Sequence, residues 1–325
     1  MPSRFKRCRL APYDCRMRRA LKVLTAASTA MVLFGVAAGA ATKAGTAADI
    51  ATAVKKSTAI SKVSPQIAAQ LSGALNDTVA KDFPQAANPG CDTVTACVFG
   101  LKSSKRTLLL FGDSHASMWL PALAGIATQA KVRLVVLWHA GCHVADLAVT
   151  YEPPGPIGGY DFCMTWLPQQ VTAIEQLKPT SILIGERTTQ VYGAGNTLFT
   201  RQQWQDGLVR TISQLVSKDT KIGIFEDLPW SNIEPGICLS QHLTQVQQCG
   251  TTNPNPANPG QQVAEQAAAI ATHSLYFPTH QWFCNKALCS PIIGNYITKW
   301  DQGHVSATYA RFLATVLATA VKPLL

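Results

Sequence analysis

Five short apolar runs alternate with stretches of helical periodicity over the middle of the chain. The runs at 107–111, 132–138, 181–185, 221–226 and 274–278 have the length of strands. Most are apolar at consecutive positions, as expected of strands covered on both faces of a parallel sheet. Between and after them lie helix-length segments at 117–130, 167–177, 201–216, 261–271 and 306–321. The last places Tyr309, Phe312, Leu313, Val316, Leu317 and Ala320 on one face behind Ser306, a residue suited to cap a helix start. Strand followed by helix, repeated, predicts an α/β fold: a doubly wound, flavodoxin-like parallel sheet with helices on both faces. Ser114, Gly141, Arg187 and Asp227 each fall just beyond a predicted strand, which gathers them at the carboxyl edge of that sheet.

The N-terminal part follows another pattern. Residues 1–22 hold eight Lys or Arg and one acid, Asp14, so most of the formal net charge of +10 belongs to a basic tail. The charge is therefore no sign of a nucleic-acid surface on the rest of the chain. Residues 23–41 carry no charge and approach their end through Ala38-Gly39-Ala40. A basic segment, an apolar segment and small residues in that order predict an export signal, either cleaved or kept as a single-pass anchor. The basic flank stays on the cytoplasmic side and the remainder goes outside, secreted or held on the cell membrane. Residues 42–60, rich in Ala, Thr and Lys, read as a tether. Residues 61–325 read as the α/β domain, opening with a helical arm over 63–82 that Pro84 and Asn88-Pro89-Gly90 bring to an end.

Cysteine usage agrees with export. Cys8 and Cys15 lie in the basic tail. The other eight fall into sequence-local couples that suggest disulfides Cys91–Cys97, Cys142–Cys163, Cys238–Cys249 and Cys284–Cys289. The closely spaced Cys/His ligands of a zinc site are absent, and no metal or organic cofactor is implied.

Two short motifs carry chemistry. The first apolar run stops at Gly112 and delivers Asp113 and Ser114, a hydroxyl of the kind hydrolases activate. Near the far end, Asp301 and His304 stand three apart just ahead of the last helix. In a tight turn the carboxylate holds one imidazole nitrogen and leaves the other to take the serine proton. Asp113 reads as shaping its turn through an Asx-type hydrogen bond. His115, His139, His143, His242, His273 and His280 show no partner in the sequence and read as surface or substrate-facing. Trp119, Trp138 and Trp166 read as core residues rather than sugar-stacking ones.

Gly-Asp-Ser after the first strand and Asp-x-x-His near the C-terminus resemble the SGNH (GDSL-type) hydrolases. Gly112-Asp113-Ser114-His115-Ala116, Gly141-Cys142 and His304-Val305-Ser306 resemble more narrowly the SGNH domains associated with acyltransferase-3 membrane proteins, over residues 61–325. The resemblance implies a serine esterase or O-acyltransferase acting on O-acyl groups of cell-envelope polysaccharides or glycolipids. Ser114 would be the nucleophile, His304 the base and Asp301 its orienting acid, with oxyanion donors from Ser114 and Gly141. It also implies a membrane acyl-donor protein as partner, because the chain itself has one hydrophobic segment at most. Where the family carries Gly-x-Asn-Asp, this sequence reads Gly185-Glu186-Arg187-Thr188; the position leaves Arg187 three roles, as substitute for the third oxyanion donor, as binder of an anionic or sugar substrate, or as ion-pair partner of Glu186. The other class of function is a binding module: an SGNH fold of weak catalytic power that holds a glycan or a partner.

Overall fold

The computed structural model describes residues 43–325 apart from 151–158, 216, 218 and 254–259. The basic tail and the apolar segment at 23–41, with the export reading they carry, lie outside the described residues. Among those described, no helix is long and apolar enough to cross a membrane.

One seven-stranded sheet organises the fold, built from β1 (Gly90–Cys91), β2 (Cys97–Gly100), β3 (Thr107–Gly112), β4 (Arg133–His139), β5 (Ser181–Gly185), β6 (Lys221–Phe225) and β7 (Leu275–Phe277). The last five are parallel in the order β4-β3-β5-β6-β7, the doubly wound arrangement expected. β1 and β2 add antiparallel pairings on β4 and are tied together by the Cys91–Cys97 disulfide. Neither was predicted, because strands this short leave no periodic signal.

Alternation along the strands divides the core between two helical layers. Leu108 and Leu110 of β3 face the side of α5 (Leu120–Gln129), α10 (Ala307–Phe312) and α11 (Ala314–Val321), packing with Leu123, Leu313 and Leu317. Leu109 and Phe111 face the other side, toward α6 (Gly159–Leu177), α7 (Arg201–Leu215) and α9 (Gln262–Ala271), with Trp166, Trp204 and Leu208. Each such buried side chain contributes about 1.5–3 kcal/mol. Trp119, Trp138 and Trp166 are core residues, as expected. The last predicted helix is two, α10 and α11, meeting at Leu313, and the Ser306 hydroxyl accepts from Tyr309 N at 3.1 Å as the cap of the first.

Two expectations for the N-terminal region are corrected. Residues 42–60 hold α1 (Ala47–Ser57), whose Thr46–Asp49 capping box starts it and whose Ile50 and Val54 enter the core, so this stretch is packed rather than a tether. The arm over 63–82 is not one helix but α2 (Pro65–Leu71) and α3 (Val79–Asp82), separated by a 3₁₀ turn. Ile67 and Ala74 cluster with Leu239 of α8 (Pro235–Gln241).

Chain order reverses at β3, which runs to β4 on one side while β5 lies on the other. In open α/β sheets that switch point opens a crevice beyond the strand ends, and β3 delivers Ser114 into it. The strand ends approach so closely that Gly112 admits no side chain. Its φ is +153° and a Cβ there would stand 1.7 Å from the Gly185 carbonyl oxygen.

Candidate active site

Asp113 and Ser114 are set by the end of β3 and by α4 (Ser114–Ser117), the turn of helix that follows. Asp113 caps it, accepting from His115 N at 2.7 Å through Oδ1 and from Arg187 N at 2.9 Å through Oδ2. His143 Nδ1 lies 3.1 Å from the same Oδ2. Burial pushes the Asp113 carboxyl up, but His143, His115 and the Arg187 N–H outweigh it and hold the group at about 2. The Asx-type role expected for Asp113 is the one it has, and it also joins the loops after β3, β4 and β5.

The second element is a hairpin turn closed by a bridge between Lys299 and Val305. Asp301 Oδ1 accepts from the N–H groups of Gly303 and His304 at 2.9 and 2.7 Å, and Oδ2 accepts from His304 Nδ1 at 2.7 Å. One carboxylate thus shapes the turn and holds the ring, which is why a spacing of three works. Burial raises the Asp301 carboxyl, but His304 and these N–H donors bring it down to about 2, so it is ionised. With Nδ1–H given to Asp301, His304 Nε2 accepts from the Ser114 hydroxyl at 2.8 Å. Ser114, His304 and Asp301 form one hydrogen-bonded chain, half-buried and open to solvent on one side. A hydroxyl so placed can pass its proton to the imidazole as it attacks a carbonyl.

Gly141 follows β4 in the left-handed region, φ 74°. With His143 it lines a mostly apolar cavity of about 90 Å³ against Cys163 and Leu167. Arg187 turns its Nε and Nη2 to the carbonyls of Thr189 and Gln190, at 2.7 and 3.1 Å, and lays its guanidinium 4.7 Å from the centre of the Trp230 ring. Trp230 in turn packs where a side chain at Gly303 would stand. Glu186 points elsewhere. It accepts from Val144 N, Ala145 N and Trp204 Nε1 at 2.8, 3.0 and 3.1 Å, and so anchors the loop that carries Gly141.

Three histidines expected at the surface or facing substrate are buried, each with a carboxylate opposite Nδ1: His115 with Asp227 at 2.5 Å, His139 with Asp92 at 2.8 Å and His143 with Asp113 at 3.1 Å. Their partners arrive from distant segments, so nothing local in the sequence announced them. Lys299 was also missed. Its buried ammonium donates to the Pro229 carbonyl, to Ser231 Oγ at 3.1 Å and to the Gln302 carbonyl at 3.5 Å, and burial lowers it to about 8. It pins the loop after β6 to the Asp301–His304 turn. All four expected disulfides are formed, Cys91–Cys97, Cys142–Cys163, Cys238–Cys249 and Cys284–Cys289.

The family model for SGNH domains (fused to AT3 domains) matches residues 68–319. The chain belongs to the SGNH family. It is an SGNH-type enzyme that handles acyl groups on carboxylic esters. Its fold is similar to that of the lipopolysaccharide acetyltransferase periplasmic domain of Salmonella ser. Paratyphi A, with a TM-score of 0.53 at 15% identity over 80% of this chain and 97% of that one. It is more distantly similar to a carbohydrate acetylesterase from Sinorhizobium meliloti, with a TM-score of 0.42 at 14% identity over 68% of this chain and 100% of that one. No curated protein matches the chain in sequence.

Proposed function

We propose that the protein is an extracytoplasmic serine esterase or O-acyltransferase acting on O-acyl groups of cell-envelope glycans. The observation that carries the reading is the unbroken hydrogen-bonded chain from Ser114 Oγ through His304 to Asp301, with 2.8 and 2.7 Å links. Ser114 Oγ attacks the ester carbonyl carbon while its proton passes to His304 Nε2. The carbonyl oxygen takes the electron pair, facing the N–H groups of Ser114 and Gly141, with Arg187 as third donor. Collapse breaks the bond to the leaving alkoxide, which receives the proton from His304. The acyl-serine is then resolved by water or by a sugar hydroxyl, giving esterase or transferase chemistry.

An extracytoplasmic site is supported by the four disulfides, by the basic-then-apolar N-terminal pattern and by a fold shared with a periplasmic lipopolysaccharide acetyltransferase domain. A membrane acyl-donor protein is the proposed partner, in keeping with the AT3 fusion that characterises the family. The test is mass spectrometry of acetylated and unacetylated envelope glycans after incubation with the protein. Loss or transfer of acyl groups that depends on Ser114 supports the reading. An unchanged glycan and an unlabelled Ser114 in the presence of an active-serine phosphonate overturn it.

A further inference from the structure

A second imidazole–carboxylate pair stands directly behind the Ser114–His304–Asp301 chain. His115 Nδ1–H donates to Asp227 Oδ1 at 2.5 Å. Asp227 is itself clamped: Oδ1 also accepts from Leu228 N at 2.8 Å, and Oδ2 accepts from Thr188 N and Oγ1 at 2.8 and 2.9 Å. Both side chains are at most 1% exposed, so the His115 ring has one orientation. That ring meets the His304 ring edge-on, with centroids 4.6 Å apart and planes at 63°. Trp300 stacks on the same imidazole at 5.0 Å and 20°. The bond to Asp301 alone leaves His304 free to swing about that contact, and the Trp300 face together with the His115 edge limits the swing.

The approach is close because of Gly303. A Cβ at that position would stand 2.5 Å from the Trp230 ring and 3.2 Å from His115 Nε2. This nitrogen is buried and has no hydrogen-bond partner among the described residues. An apolar side chain would fill the same space without a desolvated nitrogen, so packing alone does not account for an imidazole there.

We propose that His115, fixed by Asp227, is a positioning residue that holds the His304 imidazole in line with Ser114; the inference rests on the triad reading above. The charged or titratable groups facing His115 are Asp227, Asp113, Arg187 and His304, and Glu265 lies behind Asp227, accepting its N–H at 3.2 Å.

The test uses the full-length protein with p-nitrophenyl acetate, and NMR titration of the His304 ring. His115→Asn keeps an N–H for Asp227 but removes the ring edge. Gly303→Ala leaves His115 in place and sets a methyl against the Trp230 ring and His115 Nε2, so the turn moves off both. Each variant is expected to keep a cooperative thermal transition and an unchanged KM, and to displace the His304 titration. Each should also lose kcat by roughly 10–100-fold, a scale taken from partners that orient metal-binding histidines. Wild-type kcat with an unmoved His304 titration, in whichever variant is folded, overturns the proposal. Failure of the triad reading is distinct: Ser114→Ala would then turn over like wild type, while the His304 titration in His115→Asn would still report whether the contact holds the ring.

Discussion

His304 Nε2 lies 2.8 Å from Ser114 Oγ although 190 positions separate the two residues. The contact depends on both loops being fixed independently, one by the Asp113 cap and the other by the Asp301 turn. Ser114→Ala and His304→Ala are therefore expected to abolish ester turnover, since one removes the attacking oxygen and the other its base. Asp301→Asn should reduce kcat by up to roughly 10⁴-fold, a scale taken from a serine protease, because an amide favours the wrong imidazole tautomer and weakens the turn. Rates on p-nitrophenyl acetate measure all three, and full activity of Ser114→Ala would remove the mechanism.

Arg187 occupies the position where the family's asparagine is expected. Its backbone N–H goes to Asp113, and two of its side-chain groups go to Thr189 and Gln190. Truncation to alanine keeps the first contact and removes the guanidinium. As third oxyanion donor, Arg187→Ala should lower kcat by roughly 10²–10³-fold with KM little changed. Arg187→Lys should not restore it, because an ammonium lacks the planar fork that reaches both carbonyls. A rise confined to KM would assign Arg187 to substrate binding instead.

Stability should peak on the acid side of neutrality. Burial, reinforced by the Asp113 and Asp227 charges, pushes Glu186 up to about 8, against an unfolded value near 4.3. A raised carboxyl contributes stability that is complete below its unfolded value and is lost as pH rises through its folded one. Glu265, raised by burial and by Asp227, acts in the same sense. Asp113 and Asp301, held at about 2, contribute stability above their unfolded value near 3.9 that is lost as pH falls through 2. The melting temperature is thus expected to rise from strong acid to about pH 4–5 and to fall from there toward pH 8. A melting temperature climbing steadily from pH 5 to 8 would contradict this assignment of buried charge.

Much of this layout is legible from short-range pattern. Most of the five parallel strands were marked by consecutive apolar residues, and the observed ends of all five lie within one residue of those expected. Gly112, Ser114, Asp301 and His304 could be singled out because each pair forms within one turn. What escaped is whatever joins remote segments. His115 and Asp227 are 112 positions apart, and Lys299 reaches the Pro229 carbonyl and Ser231 some 70 positions back. Partners of that kind follow from the strand order, which no local spacing encodes. Residues 42–60 misled for a related reason: their Ala- and Thr-rich composition resembles a linker, yet Ile50 and Val54, with a few small neighbours, dock α1 on the core.

The Cys142–Cys163 disulfide should matter more than the others to both fold and activity. On the chain-entropy model, closing this loop contributes about 3.4 kcal/mol, against about 2 kcal/mol for the short Cys284–Cys289 loop. It ties the segment after β4 to α6 next to Gly141, one residue from its own Cys142. Removing it leaves that segment to Glu186, which holds the N–H groups of Val144 and Ala145, to Thr211 on the Val144 carbonyl and to the His143–Asp113 pair. Cys142→Ser/Cys163→Ser is accordingly expected to lower the melting temperature more than Cys284→Ser/Cys289→Ser does. It should also reduce kcat by loosening the Gly141 donor, whereas the other pair should leave kcat near wild type at temperatures where the fold persists. Thermal melts and initial rates on the two double variants decide the matter. Equal losses in both would show that the Gly141 segment is held by its contacts with Glu186, Thr211 and Asp113 without the disulfide.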